Sequence, residues 1–317
     1  MAIEKVILNN ITVFKHLELE MSSGINIIIG ENGTGKTHLL KMIYYAYNSK
    51  DVPNSLRVGA LEEKYIRKYN DNTKYESNAV IHYDNDETCW IQKDGVKIRN
   101  SSLKDAIYIP VSEMLSHSKG FLALNNKYKM PFESTEVDII ANAELPETRE
   151  VSKLNKDILK RISTIIDGEV IYEDDTFYIL KNDGFKVEFS VEAEGLRKFG
   201  LLFKLIRNGL IEEGSILLWD EPEANINPEL IPTLVDILLE LESNGVQIFL
   251  STHSYNLAKY FEVKRNKNNH VLFHSLYRDG NEVLSDTKEY FSKLDNNKIL
   301  SADEHLLDEV FEKNLED

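Results

Sequence analysis

Cysteine is almost missing from this sequence: Cys89 is the sole thiol among 317 residues, so no intrachain disulfide can form. Set in "ETCWIQ", it reads as a packed strand residue and not as a nucleophile, and the lack of disulfides suits a reducing cytoplasm. No apolar run approaches the roughly 20 residues that a membrane-spanning helix needs, so a cytoplasmic location with no membrane partner is expected. The opening residues, MAIEKVILNN, lack the basic start and apolar stretch of a signal peptide. With Ala2 in place of Gly and the Cys-free stretch KNLED, a lipid anchor is not expected. Positive charge is also in deficit, with 37 Lys and Arg against 53 Asp and Glu, a net charge of -16. That balance repels a phosphate backbone except where cations cluster, and the two clusters with interleaved aromatics, "RKYNDNTKY" and "KYFEVKRNKNNH", are short. Nucleic acid therefore stays open as a partner that the charge does not indicate. No repeat, low-complexity tract or heptad run long enough for a coiled-coil arm is present.

What the chain does have is a 42% hydrophobic composition, enough for a full core. The stretch "GENGTGKT" at 30–37 follows the apolar run "INIII" and precedes "THLLKMIYYAYNS", which puts Leu39, Leu40, Ile43 and Tyr44 on one helical face. Strand, glycine loop, helix is the setting that G-x-x-x-x-G-K-[ST] requires: small residues let backbone N–H groups wrap phosphates, and the helix start faces their charge. Gly30, Glu31, Asn32, Gly33, Thr34, Gly35, Lys36, Thr37 and His38 are thus the expected nucleotide-binding residues. Lys36 would reach the outer phosphates and Thr37 would give its hydroxyl to Mg²⁺.

Two later apolar strands end in polar chemistry. "ILLWDE" at 216–221 finishes in adjacent carboxylates, with Asp220 expected to hold the metal through water and Glu221 to act as general base. "VQIFLSTHS" at 246–254 ends in His253, placed to contact the γ-phosphate and its attacking water. Around them the pattern alternates: a helix over 195–208, a strand, a helix over 228–245, a strand, a helix over 254–262, and the strand "HVLFHSLYR". Such alternation predicts a parallel sheet with helical crossovers.

The front is richer in strands: "IEKVILNNITVF", "HLELEM", then after a polar excursion at 50–76 a meander of "NAVIHYD", "ETCWIQKDG" and "VKIRN", with turns at Asp84-Asn85 and Asp94-Gly95, closed by "AIYIP". A loop, the segment "PFESTEVDIIANAEL" and a helix over 147–167 read as a helical subdomain. Two strands follow in 169–190, with an Asn-Asp-Gly turn. At the far end, Leu300, Leu306, Leu307 and Val310 make a helical stripe expected to pack on the sheet.

The ordered series GENGTGKT, "LLWDEPEANINP" and "STHS" resembles the ABC-type ATPase heads of the SMC and RecF class, and more closely the compact ATPases related to the OLD family and other bacterial anti-phage defence ATPases. The resemblance covers about 1–48 and 190–260. It implies an α/β fold, a P-loop NTPase of ABC-ATPase type with a mixed central sheet, an antiparallel β subdomain and a helical insertion. It also implies one composite domain over 1–317, with 1–48 and 190–317 as nucleotide-binding core and 50–189 as insertion. ATP and Mg²⁺ are the implied cofactors, Glu221 the hydrolytic base and His253 the switch histidine, while residues 223–227 match the loop that crosses to a second subunit.

Such heads close in pairs, each nucleotide lying between one P-loop and the partner's signature helix, usually opened by Ser-Gly-Gly. Here Ala193-Glu194-Gly195 stands in that place, so Gly195 is the nucleotide-binding candidate, Arg197 and Lys198 could compensate for the lost hydroxyl, and slow hydrolysis is expected. For the metal-sensing glutamine, Gln92 and Gln247 fit poorly and Ser112 and Glu113 are the substitutes; Phe14 and Lys15 lie where adenine is contacted in such heads. The implied partners are a second copy of the chain, or a larger homo-oligomer, and a separate effector, with a nuclease among the candidates. The Toprim nuclease that OLD proteins carry is not expected in the short stretch read after His253. The alternatives are a DNA-repair or SMC-like ATPase, a transporter nucleotide-binding subunit, and a small-molecule kinase that would have no use for "DEPEANINP".

Overall fold

The computed structural model of the protein describes residues 2–48, 76–92, 95–98, 106–128 and 130–316. In chain order, β1 (Ile3–Ile11) and β2 (Phe14–Glu20) form a hairpin, and β3 (Ile25–Gly30) leads into α1 (Lys36–Asn48). Then come β4 (Asn78–Tyr83), β5 (Thr88–Gln92), β6 (Gly95–Ile98) and β7 (Ala106–Ile109). A helical stretch follows: α2 (Phe121–Tyr128), α3 (Ser134–Glu144) and α4 (Lys153–Ile166). After it run β8 (Gly168–Glu173), β9 (Thr176–Lys181), β10 (Lys186–Glu188), α5 (Glu194–Arg207), β11 (Ile216–Asp220), α6 (Ile231–Ser243), β12 (Gln247–Thr252), α7 (Tyr255–Lys264), β13 (Val271–Asp279), β14 (Glu282–Lys288) and α8 (Lys298–Glu316).

Three sheets result. The central one has six strands in the order β14-β13-β3-β12-β11-β7, all neighbours parallel except the β13-β14 hairpin. Its inner strands β3, β12 and β11 are mostly apolar runs because both faces are covered, as parallel sheets require. The period of two sorts their side chains between two cores: Ile25, Ile27, Ile29, Leu217, Trp219, Ile248 and Leu250 join the layer of α3 to α7. Ile28, Ile216, Leu218 and Phe249 point the other way, to α1 and the five-stranded antiparallel sheet β2-β1-β4-β5-β6. The third sheet, β10-β9-β8, flanks α4 and α5.

Several expectations meet the structure differently. The strand "AIYIP" does not close the meander; it pairs in parallel with β11 at the edge of the central sheet, so part of the stretch numbered 50–189 belongs to the sheet that carries the glycine loop. Alternation could not reveal this, since Ala106, Ile107, Tyr108 and Ile109 are all buried. The two strands expected in 169–190 are three: Asp174 and Asp175, both at positive φ (49° and 57°), make a two-residue hairpin turn that breaks the run. The helix expected over 147–167 begins at Lys153, where the Ser152 hydroxyl accepts from the Asn155 N–H at 3.1 Å, and stops where Asp167 turns left-handed at φ 51°. Its buried face, Ile158, Leu159, Ile162 and Ile166, has the helical spacing.

The C-terminal stripe is also corrected. Leu300 packs against the core, but Leu306, Leu307 and Val310 are 58%, 51% and 48% exposed, because α8 runs past the sheet. Helix α2 and strand β14 had not been expected. The turn at Asp84-Asn85 is present, whereas the one at Asp94-Gly95 and nearly all of the 50–76 excursion lie outside the described residues. Cys89 is buried in β5, and burial pushes its thiol up to about 12, as suits a packed residue.

Candidate active site

Strands β3, β12 and β11 are consecutive neighbours, with Thr252 level with Ile29 and Asp220 level with Ser251. Parallel strands share one carboxyl edge, so the loop after β3, the acids ending β11 and the histidine after β12 emerge side by side there, where α/β sheets bind ligands. Gly35 occupies φ +92°, and a Cβ there would lie 2.5 Å from Phe14 Cζ. The loop thus rests on a buried phenylalanine, and only glycine fits the contact. Phe14 is a core residue under the loop, while Lys15 is exposed and pairs with Glu282 at 2.7 Å.

Lys36 is 6% exposed, and its Nζ donates to the carbonyls of Gly30 (2.9 Å) and Glu31 (3.1 Å). Desolvation brings its ammonium down to about 8, against an upward pull from Glu221, Asp220 and Glu223. Thr34 closes the loop by donating to the Glu31 carbonyl at 2.8 Å, and Arg278 on β13 donates to the Gly33 carbonyl at 2.8 Å. Thr37 Oγ1 donates to Asp220 Oδ2 at 2.8 Å. Asp220 is 2% exposed and also accepts from Tyr108 (3.2 Å) and from the hydroxyl of Ser251. Its carboxylate is thereby held in one orientation facing Thr37.

Among the described residues no three His, Cys, Asp or Glu side chains converge as a metal cage. A hydroxyl and one carboxylate in mutual contact instead fit an ion such as Mg²⁺, which keeps most of its coordination for phosphate and water. Next along the chain, Glu221 sits at φ 47°, a left-handed conformation uncommon for a non-glycine residue. Its N–H donates to the Ser251 carbonyl at 3.1 Å. His253 Nε2 lies 3.4 Å from Glu221 Oε1; burial first, then Lys36, lowers the imidazole below its ordinary range. Glu223 accepts from the Thr252 hydroxyl at 2.5 Å, and burial raises its carboxyl.

Lys36, Thr37, Asp220, Glu221 and His253 thus lie together at one edge of the central sheet. Gly195 sits elsewhere: a Cβ on it would meet Asn225 O at 2.7 Å and Ile226 Cα at 3.2 Å, so within this protomer it is a close-packing residue beneath the 223–227 loop. Arg197 turns inward to Glu113 at 3.2 Å, and Glu113, 7% exposed, also accepts from backbone N–H groups of 115 and 116, whereas Ser112 is exposed. Gln247 belongs to the opposite end of β12, bonded to the backbone of Ile3 and Ser22. Sequence reasoning missed Tyr108 and Ser251 and took Glu223 only as part of the loop that crosses to a second subunit; Ser251 stands within two residues of a picked position, but nothing in "AIYIP" signals that Tyr108 meets Asp220.

Comparison with known proteins bears on the family and the fold. One family model, described as "AAA domain", matches residues 5–175, and a second, described as "AAA domain, putative AbiEii toxin, Type IV TA system", matches 110–259. The chain is 21% identical to an ATP/GTP phosphatase of Helicobacter pylori, covering 82% of this chain and 87% of that protein. It is 30% identical to the DNA double-strand break repair Rad50 ATPase of Nanoarchaeum equitans, over 37% of this chain and 14% of that protein. Among solved structures, an SMC head bound to the C-winged helix domain of ScpA superposes with a TM-score of 0.60 at 12% identity, covering 91% of this chain and 98% of that one. Another SMC head, from Thermotoga maritima, gives 0.53 at 13% identity over 91% of this chain and all of that one.

Proposed function

We propose, on the premise that this chain belongs to the AAA-domain family of ATPases, in its SMC and RecF-like, ABC-type form, that it hydrolyses ATP with Glu221 as general base and pairs two copies around nucleotide to control a separate effector. The observation that carries the chemistry is the meeting of three strand ends: Lys36 and Thr37 after β3, Asp220 and Glu221 after β11, His253 after β12. Backbone N–H groups of 30–37 and the start of α1 would cradle the phosphates, with Lys36 released from the Gly30 and Glu31 carbonyls to meet them. Bound Mg²⁺, held through Thr37 and Asp220, would neutralise developing phosphate charge. Glu221 takes the proton of the attacking water, and the half-buried His253 imidazole, its pKa lowered by desolvation first and then by Lys36, orients the carboxylate and that water.

The pairing and the effector rest on the resemblance and on the family description that includes a toxin system. Anti-phage defence is the biological setting we favour, with Gly195 and the 223–227 loop facing the second copy once nucleotide is bound. Replacing Ser-Gly-Gly by Ala193-Glu194-Gly195 puts a carboxylate near an incoming γ-phosphate, so slow turnover follows. A second reading, action on DNA, draws support from the likeness to a Rad50 ATPase, and a gel shift with and without ATP separates it.

The test is Glu221→Gln. Its ATP turnover should fall by about 100-fold or more, the scale of losing a general base. In ATP and Mg²⁺ it should sediment as a dimer and co-purify with the effector. Turnover at the wild-type rate would remove Glu221 from its role, and a monomer in ATP would remove the pairing.

A further inference from the structure

Lys198 is 1% exposed, an extreme burial for a lysine, which is rarely kept from water unless its charge is used. It lies one turn into α5, and its Nζ donates to the carbonyl of Glu221 at 3.1 Å. Glu223, Glu194, Glu221 and Asp220 all surround it electrostatically, yet among the described residues none closes to an ion pair with it. The bond it makes is to main chain, and to the main chain of the residue read as the catalytic base.

That residue needs holding. A left-handed φ costs a non-glycine residue about 1 kcal/mol or more and persists only where neighbours over-determine it. Two restraints act on Glu221 from opposite sides: β12 through the Ser251 carbonyl on its N–H, and α5 through Lys198 on its C=O. A third contact ties the same turn to the same helix, since Gly195 packs against Asn225 and Ile226 too closely for any Cβ. Residues 221–226 are therefore pinned beneath the first turn of α5.

We propose that Lys198 is a positioning residue for hydrolysis: from α5 it fixes the backbone of Glu221 so that the carboxylate stays beside His253, and it couples the placement of α5 to the competence of the base. The proposal rests on the ATPase reading above and deepens it, because α5 is the helix whose start would face a partner's nucleotide. Movement of its first turn in one protomer then reaches that protomer's own base through one ammonium. Binding of ATP to the protomer's own loop at 30–37 lies outside this linkage.

Lys198→Met tests it, because methionine fills the space without a donor or charge, and burying methionine carries none of lysine's desolvation cost. The variant should melt at or above the wild-type temperature and bind ATP within about threefold of the wild-type Kd. Its kcat should fall by about tenfold or more with KM unchanged, the signature of an interaction needed only in the chemical step. Lys198→Arg, which restores a cationic donor, should recover most of the loss. A Lys198→Met protein that turns over as fast as wild type overturns the inference alone. One that melts far below wild type or loses ATP affinity in parallel shows a merely structural lysine and overturns it too, as does failure of arginine to recover any rate. Absence of turnover in the wild type itself overturns the ATPase reading, and this inference with it.

Discussion

Thr37 and Asp220 stand 183 positions apart in sequence, and the hydroxyl of one donates to the carboxylate of the other at 2.8 Å. The carboxylate is also gripped by Tyr108 and Ser251, so it cannot turn away when the hydroxyl is offered to an ion instead. Asp220→Asn keeps the size and loses the charge. Mg²⁺-dependent ATP turnover should drop by about 100-fold, the scale of losing one preorganised electrostatic contact. Phosphate release followed against Mg²⁺ concentration checks it; an unchanged rate and metal dependence would dismiss the site.

Lys36 gives a pH dependence. With its ammonium lowered to about 8, the nucleotide-free protein loses this charge as pH rises through that value, while phosphate binding demands it. ATP affinity should therefore weaken above pH 8, and binding near pH 8 should take up protons. Calorimetry in two buffers of different ionisation enthalpy reads the uptake, and identical heats in both would refute it. Lys36→Ala should abolish binding.

His274 sets an acid limit on the fold. It is fully buried, its Nδ1 is 2.9 Å from Thr287 Oγ1 and its Nε2 is 3.2 Å from Asn26 Oδ1, and burial lowers it to about 4. Asn26 Oδ1 can only accept, so Nε2 carries the single proton and Nδ1 takes the Thr287 hydroxyl. As pH falls below about 6.5 the unfolded chain gains a proton that the folded chain refuses, so stability is present above that pH and is lost toward 4, by about 3 kcal/mol. Urea titrations at pH 7 and 4.5 should show this loss, and His274→Gln should flatten it.

Helix α8 and helix α4 give opposite outcomes for similar apolar residues. Leu307→Ser should shift stability by no more than about 0.5 kcal/mol, since the side chain is half exposed, whereas Ile162→Ala, wholly buried, should cost about 2–5 kcal/mol. Denaturant midpoints decide; a large loss at Leu307 would mean that its face is covered in solution.

The site was legible because each of its parts is local. A glycine loop after a buried strand, two acids ending another and a histidine ending a third declare themselves within a few residues, and the physics of parallel sheets supplies their meeting. Long-range pairing leaves no such mark. Tyr108 is a strand tyrosine in a run buried on both faces, and its partner Asp220 becomes known only when β7 is seen beside β11. Lys198 reads as a cation that could make up for the lost signature hydroxyl until the turn after β11 is found under it. The α8 stripe has the spacing of a packed face, but spacing does not say whether a surface lies opposite.

The ladder between β11 and β12, Asp220 level with Ser251, also acts as a gauge for the reaction. Slipping that ladder by one residue would carry Glu221 about 3.3 Å along the strand and swap Leu218 and Trp219 between the two cores, an error the packing forbids. The tolerance of the chemistry is thus inherited from hydrocarbon that never meets the nucleotide. Substitutions at Leu217 or Phe249, remote from any phosphate, should then alter catalytic rate before they alter affinity.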